Sequence, residues 1–145
     1  MRTFVFLASV LLAGCVSVID AQNSVASEFT SPLSSEAAFR NVVHSMNECY
    51  PQGFTIASNY FPEAKEGEIT LFAVSEVARF DYVKVTTKAH SNGTFVTLKR
   101  HSRYRGFEAA MPGWLAGTAT SCPYGTRSEP RPPGSELNQN HMPSR

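Results

Sequence analysis

The chain has little charge, few cysteines and no apolar run long enough to cross a membrane. Of its 145 residues, 17% are charged and the formal net charge is +1. A balance so close to zero argues against a protein that holds nucleic acid through its overall field. No phosphate-binding loop, dinucleotide fingerprint or zinc-protease helix occurs, and there is no internal repeat. The N-terminal apolar stretch is short. A helix from Phe4 to Gly14 would reach about 16 Å, against a hydrocarbon core of about 30 Å. Cysteine occurs three times, at 15, 49 and 122. Neither of the last two has a Cys or His at ligand spacing, which makes a poor zinc site, and no metal or other cofactor is expected.

The N-terminus supplies an address instead. Arg2 precedes the nearly continuous apolar run Phe4 to Leu12, and small residues follow. That is the layout of a secretory signal, removed rather than folded. Leu12-Ala13-Gly14-Cys15 closes the run and resembles the lipobox of bacterial lipoproteins. The resemblance covers the first fifteen residues only. It implies a diacylglycerol on the Cys15 sulfur, cleavage just before it, and acylation of the new amine. Two or more chains give stable membrane attachment, where one is marginal. By the same resemblance, Val16 favours an outer membrane, with the protein facing the periplasm. The competing reading is ordinary cleavage after Ala21, in Ile19-Asp20-Ala21, which would leave a secreted or periplasmic soluble protein beginning at Gln22.

With Cys15 lipidated, Cys49 and Cys122 remain in an oxidising compartment, where such a pair forms a disulfide. Residues 1–14 are then signal, residues 15–31 the lipidated Cys and a flexible tether, residues 32–122 one domain, and residues 123–145 a disordered Pro/Gly/Ser-rich tail.

Within the domain, Pro32 and Ser34-Ser35 announce a helix, with Glu36 in its first turn. Phe39, Val42, Val43 and Met46 recur at helical spacing, and Cys49 continues the stripe. Pro51 and Gly53 end it. Strands follow at Phe54 to Phe61 and Glu68 to Ser75, with a turn over Glu63 to Gly67. The second is apolar on both faces, which suits a central strand covered twice. Asn92-Gly93 marks a type I′ hairpin between Phe80–Ser91 and Thr94–Ser102. If Ser91 pairs with Thr94, then Ala89 faces Val96, Thr87 faces Leu98 and Val85 faces Arg100. Tyr82, Lys84, Lys88 and His90 fall on the other side with Phe95, Lys99 and His101. A short helix begins near Pro112, with Trp114, Leu115 and Cys122 at helical spacing.

The expected fold is therefore α+β. It has an N-terminal helix, a four-stranded, mainly antiparallel meander and a short C-terminal helix tied to the first by Cys49–Cys122. Phe39, Val42, Val43, Met46, Trp114 and Leu115 should meet Val85, Val96 and Leu98 in the core.

No catalytic group stands out. His90 and His101 lie at opposite ends of the hairpin, and the disulfide occupies both thiols that a Cys–His pair could use. Glu63, Glu66 and Glu68 cluster in what reads as a solvated turn. The charge split is the more informative pattern. Residues 36–81 carry seven acids and three bases, whereas residues 82–107 carry six bases and no acid. Lys84, Lys88, Lys99, Arg100, Arg103 and Arg105, with Phe95 among them, could hold an anionic envelope component or an acidic protein. Lysines on exposed sheet faces also serve simply to prevent aggregation. The expected function is a membrane-anchored, non-enzymatic periplasmic binding or adaptor module. The alternatives are an inhibitor or immunity-type protein acting on a toxin or envelope hydrolase, and a small hydrolase. No nucleic acid is expected as a partner.

Overall fold

The structure, a computed structural model, describes residue 19 and residues 22–50, 53–118 and 121–123. The signal segment, Cys15, Pro51 and residues 124–145 lie outside the described residues. Among the described residues seven elements follow in order: β1 (Ser24–Ser31), α1 (Ser35–Cys49), β2 (Thr55–Phe61), β3 (Glu66–Val74), β4 (Arg79–His90), β5 (Gly93–His101) and α2 (Phe107–Ala116). The strands form one antiparallel sheet in the order β1-β5-β4-β3-β2. Strands β1 and β2, consecutive in sequence, are the two edges, and α1 carries the chain between them across one face. The class is α+β, with five strands rather than four.

The added strand lies in the expected tether. Residues 24–31 pair with β5 over their whole length, from Ser24↔His101 to Ser31↔Thr94. Composition hides this because an edge strand is held by backbone hydrogen bonds and has one neighbour. Only Phe29, opposite Val96, brings a large side chain to the core. Any tether from Cys15 is thus shortened to the residues before Ser24.

Helix α1 starts as expected: Ser34 caps it, its Oγ accepting from the Ala37 N–H at 3.3 Å. Its stripe of Ala38, Phe39, Val42 and Met46 is buried against the sheet. Helix α2 begins at Phe107, five residues before Pro112, and ends at Gly117. There the Thr118 N–H bonds the Gly113 carbonyl and the Gly117 N–H bonds the Trp114 carbonyl. This is a Schellman ending, which the left-handed φ of 70° at Gly117 permits. Asn41 of α1 donates its Nδ2 hydrogen to the Leu115 carbonyl at 3.1 Å, so a third helix-end acceptor is met. The apolar spacing expected to run on to Cys122 therefore breaks at Gly117.

The hairpin also differs in detail. His90 pairs with Gly93, Thr87 with Val96 and Val85 with Leu98. The turn is centred on Ser91-Asn92, and Asn92 keeps negative φ, so it is not type I′. The register moves by two residues, which leaves the two faces unchanged. A bulge does change one face. Leu71 pairs with Val83 and Phe72 with Asp81, so Tyr82 is the extra residue. It turns inward and is 5% exposed, contrary to its expected place beside Lys84. Strand β3 is next to an edge, not central. Of the apolar residues on its other face, Phe72 is covered by the Arg79 guanidinium at 3.7 Å from the ring centre, and Val74 is exposed.

The core lies between the helices and one sheet face. Ile69, Leu71, Val83, Val85, Val96 and Leu98 meet Val42, Met46, Phe107, Met111, Trp114 and Leu115. Rings continue from it through Tyr50, Phe54, Tyr82 and Tyr104. The Cys49–Cys122 disulfide joins the end of α1 to the segment after α2. Beneath it the Trp114 indole Nε1 donates to the Ser121 carbonyl at 3.2 Å.

Candidate interaction surface

Both helices pack on one face of the sheet, so the other face presents its side chains outward. Alternation along the strands assigns them. On β4 and β5 the outward residues are Lys84, Thr86, Lys88, Phe95, Thr97 and Lys99, because Val83, Val85, Thr87, Val96 and Leu98 are buried. The register then extends each position across the sheet. One row runs Thr30, Phe95, Lys88, Glu66 and Phe61; the next, Glu28, Thr97, Thr86, Glu68 and Asn59; a third, Ala26, Lys99, Lys84, Thr70 and Ala57.

The acid-free segment is therefore not an acid-free face. Lys84 Nζ lies 3.1 Å from Glu68 Oε1, and Lys88 Nζ is paired with Glu66. Glu28 enters from β1. Three lysines share the surface with three glutamates. Counting charge along the chain could not show this, because antiparallel pairing sets the basic strand β4 beside the acidic strand β3. Lys99 is exposed, lies opposite Lys84 and takes part in no ion pair among the described residues. These exposed pairs contribute little stability each.

Arg100 departs from its expected role. It lies on the inward side of β5 and is 9% exposed. Its Nε donates to Glu108 Oε1 at 2.6 Å, and its Nη1 donates to the His101 and Ser102 carbonyls at 3.4 and 3.3 Å. It fastens α2 to the sheet and is not available to a partner. Arg103 and Arg105 lie in the exposed loop between β5 and α2, at the sheet end where β1 begins, away from the rows above. The predicted residues thus divide into three groups: Lys84, Lys88, Lys99 and Phe95 together on the face, Arg103 and Arg105 at one end, and Arg100 inside. Phe61, half exposed, and Glu28, Glu66 and Glu68 complete the face.

The histidines among the described residues do not converge. His44 stands 3.3 Å from Glu48 on the exposed side of α1. His90 and His101 are at opposite ends of the β4–β5 hairpin. No group of three metal-ligating side chains occurs among the described residues. A cleft of about 380 Å³ lies between the end of β1 and α2, walled by Phe29, Pro32, Leu33, Pro112 and Leu115. Its walls are mainly apolar, with Thr30 and Ser31 among them, and hold no titratable group. Among the described residues no helix is long and apolar enough to cross a membrane.

No protein-family model matches the chain, and no curated protein matches it. Among solved structures it is similar to the crystal structure of Ara h 8.0201, with 14% identity and a TM-score of 0.35, over 66% of this chain and 93% of that one. A likeness of that size carries no argument about fold or function.

Proposed function

We propose that this protein is a non-enzymatic binding or adaptor module, tethered to a bacterial membrane by lipid on Cys15, that meets a protein partner on the outer face of its sheet. The observation that carries the reading is the one-sided placement of the helices. It leaves outward a surface that spans five strands and carries three lysines and three glutamates together with Phe95 and Phe61. Interspersed charges of both signs around two aromatic rings suit a folded protein surface of complementary pattern better than a uniformly anionic polymer. The lipobox-like Leu12-Ala13-Gly14-Cys15 supports the tether and, with it, a partner available at an envelope surface.

The test is photo-cross-linking from Phe95 in cells, followed by charge reversal. A discrete protein adduct that is lost in Lys99→Glu supports the surface. Unchanged capture in a Lys84→Glu/Lys88→Glu/Lys99→Glu variant that still folds overturns it. Recovery of one hydrolase or toxin, with loss of that enzyme's activity on binding, would make the module an inhibitor rather than an adaptor.

A further inference from the structure

The β3–β4 hairpin carries the most exposed apolar side chains among the described residues. Val74 is 68% exposed and Val77 is 92% exposed. An isolated exposed valine is ordinary, but these two sit on an ordered tip. The Ser75 N–H donates to the Ala78 carbonyl at 2.8 Å, and the Ser75 hydroxyl donates to that carbonyl at 3.2 Å. The same Oγ accepts from the Val77 and Ala78 N–H groups. Ser75 thereby fixes the turn and holds Val77 outward, so presenting it loses little conformational entropy.

The position of the tip is set by register. Ser24 pairs with His101, Arg100 with Val83, and Leu71 with Val83, whereas the β3–β4 ladder continues to Val74↔Arg79. The hairpin therefore projects about 10 Å past the end at which β1 starts. Arg103 and Arg105 are exposed in the neighbouring loop at the same end. Cys15 precedes Ser24 by nine residues, a span of at most about 30 Å. Strand β3 is three places from β1, roughly 14 Å away. The opposite end of the sheet is farther by the eight-residue length of β1, about 26 Å, which would use nearly the whole span.

We infer that the domain rests on the bilayer that holds its lipid through the tip of the β3–β4 hairpin, with Val77 and Val74 entering the headgroup boundary and Arg103 and Arg105 lying above the lipid phosphates. This rests on the lipid anchor proposed at Cys15. Exposed apolar groups at the interface, with basic groups near the headgroups, orient a protein that is already lipid-anchored; Glu76, exposed in the same turn as Val77, stays on the water side of that contact. The outer sheet face then stands upright from the membrane, open to a partner, and the apolar cleft points away from it.

The full-length acylated protein, reconstituted in vesicles of phosphatidylethanolamine and phosphatidylglycerol with brominated acyl chains, tests this. Val77→Trp places a reporter at the tip, and Ala64→Trp places one in the exposed β2–β3 turn at the opposite end. Intact mass first establishes the acyl groups on Cys15. The expected result is quenching and a blue shift of emission for Val77→Trp and neither change for Ala64→Trp. An acylated, vesicle-bound protein whose two reporters respond alike overturns the docking and leaves the anchor standing. A mature chain without acyl mass overturns both.

Discussion

Arg100 and Glu108 form a charge-assisted hydrogen bond, Nε to Oε1 at 2.6 Å, between the last strand and the last helix. Ser27 of β1 also reaches the Glu108 carboxylate, at 3.5 Å. One glutamate thus links three elements, and it lies in the first turn of a helix that lacks a side-chain cap. The Arg100 side chain is 11% exposed and Glu108 32%, so the pair is partly desolvated rather than fully buried. Glu108→Ala should cost about 2 kcal/mol, the range for a hydrogen bond to a charged group, and less than the roughly 3–5 kcal/mol for stranding a fully buried charge. Removing both charges should recover part of that loss. Urea unfolding of Glu108→Ala and of Arg100→Met/Glu108→Ala reads both as midpoint shifts.

The disulfide should matter through the chain it closes. Cys49 and Cys122 are 73 positions apart. A loop of that length corresponds to about 4 kcal/mol in the chain-entropy account. Reduction also frees the segment that follows Gly117, whose Ser121 carbonyl accepts from Trp114. Trp114 is the one tryptophan and is wholly buried. Reduced protein, or Cys49→Ser/Cys122→Ser, should unfold at markedly lower urea. Its tryptophan emission should shift to the red before the far-ultraviolet signal of the sheet is lost.

Gly67 and Thr87 share a cross-strand pair beneath Phe39. A Cβ on Gly67 would meet the Phe39 ring and lie 2.8 Å from Thr87 Oγ1. Phe39 also packs on Tyr60, the β2 partner of Gly67, with ring centres 5.4 Å apart, which restricts its movement. Gly67→Ala should therefore destabilise by about 1–3 kcal/mol, the usual scale of overpacking. Phe39→Leu in the same chain should relieve part of it. Thr87 is fully buried, and its hydroxyl has no hydrogen-bond partner among the described residues. Thr87→Val keeps the shape and removes that polar atom, so it should be neutral or stabilise by up to about 1 kcal/mol. Thermal melts of the three variants check the set.

Much of this architecture is legible in the sequence, and the losses have identifiable causes. The periodicity of Phe39, Val42 and Met46 marks α1, and the core contacts with Val85, Val96 and Leu98 follow from alternation. Strand β1 is missed because edge pairing is a backbone property that leaves little trace in small, polar side chains. Asn92-Gly93 locates the hairpin, but the glycine is there for a different reason. Its φ is 134°, and a Cβ would collide with the Ser31 carbonyl of β1, the strand that composition conceals. Tyr82 faces inward because a bulge breaks the alternation on which its assignment rests. Arg100 is placed on the inner side by alternation, yet its charge suggests an outer role. Its partner Glu108 stands one residue past the acid-free segment, so counting within that segment omits it.

Asn41 gives the most local prediction, because its side-chain hydrogen bond joins the two helices. Its Nδ2 donates to the Leu115 carbonyl, and the amide lies against Gly117, where an added Cβ would be 3.0 Å from Nδ2. Helix α2 has only ten residues, with Pro112 inside it and glycine at both caps, so it holds its conformation through tertiary support. Asn41→Ala leaves the Leu115 carbonyl without that donor and should cost about 1 kcal/mol, the usual value of one such bond. Asn41→Asp is the sharper probe. It keeps the size but replaces the donor with an anion beside the negative end of the helix dipole, so it should cost more than alanine. Amide exchange should localise the effect. Residues 113–118 should lose protection in both variants, more in Asn41→Asp, while α1 and the β4–β5 ladder keep theirs. Equal losses throughout the domain would mean that Asn41 supports the whole core rather than the end of α2.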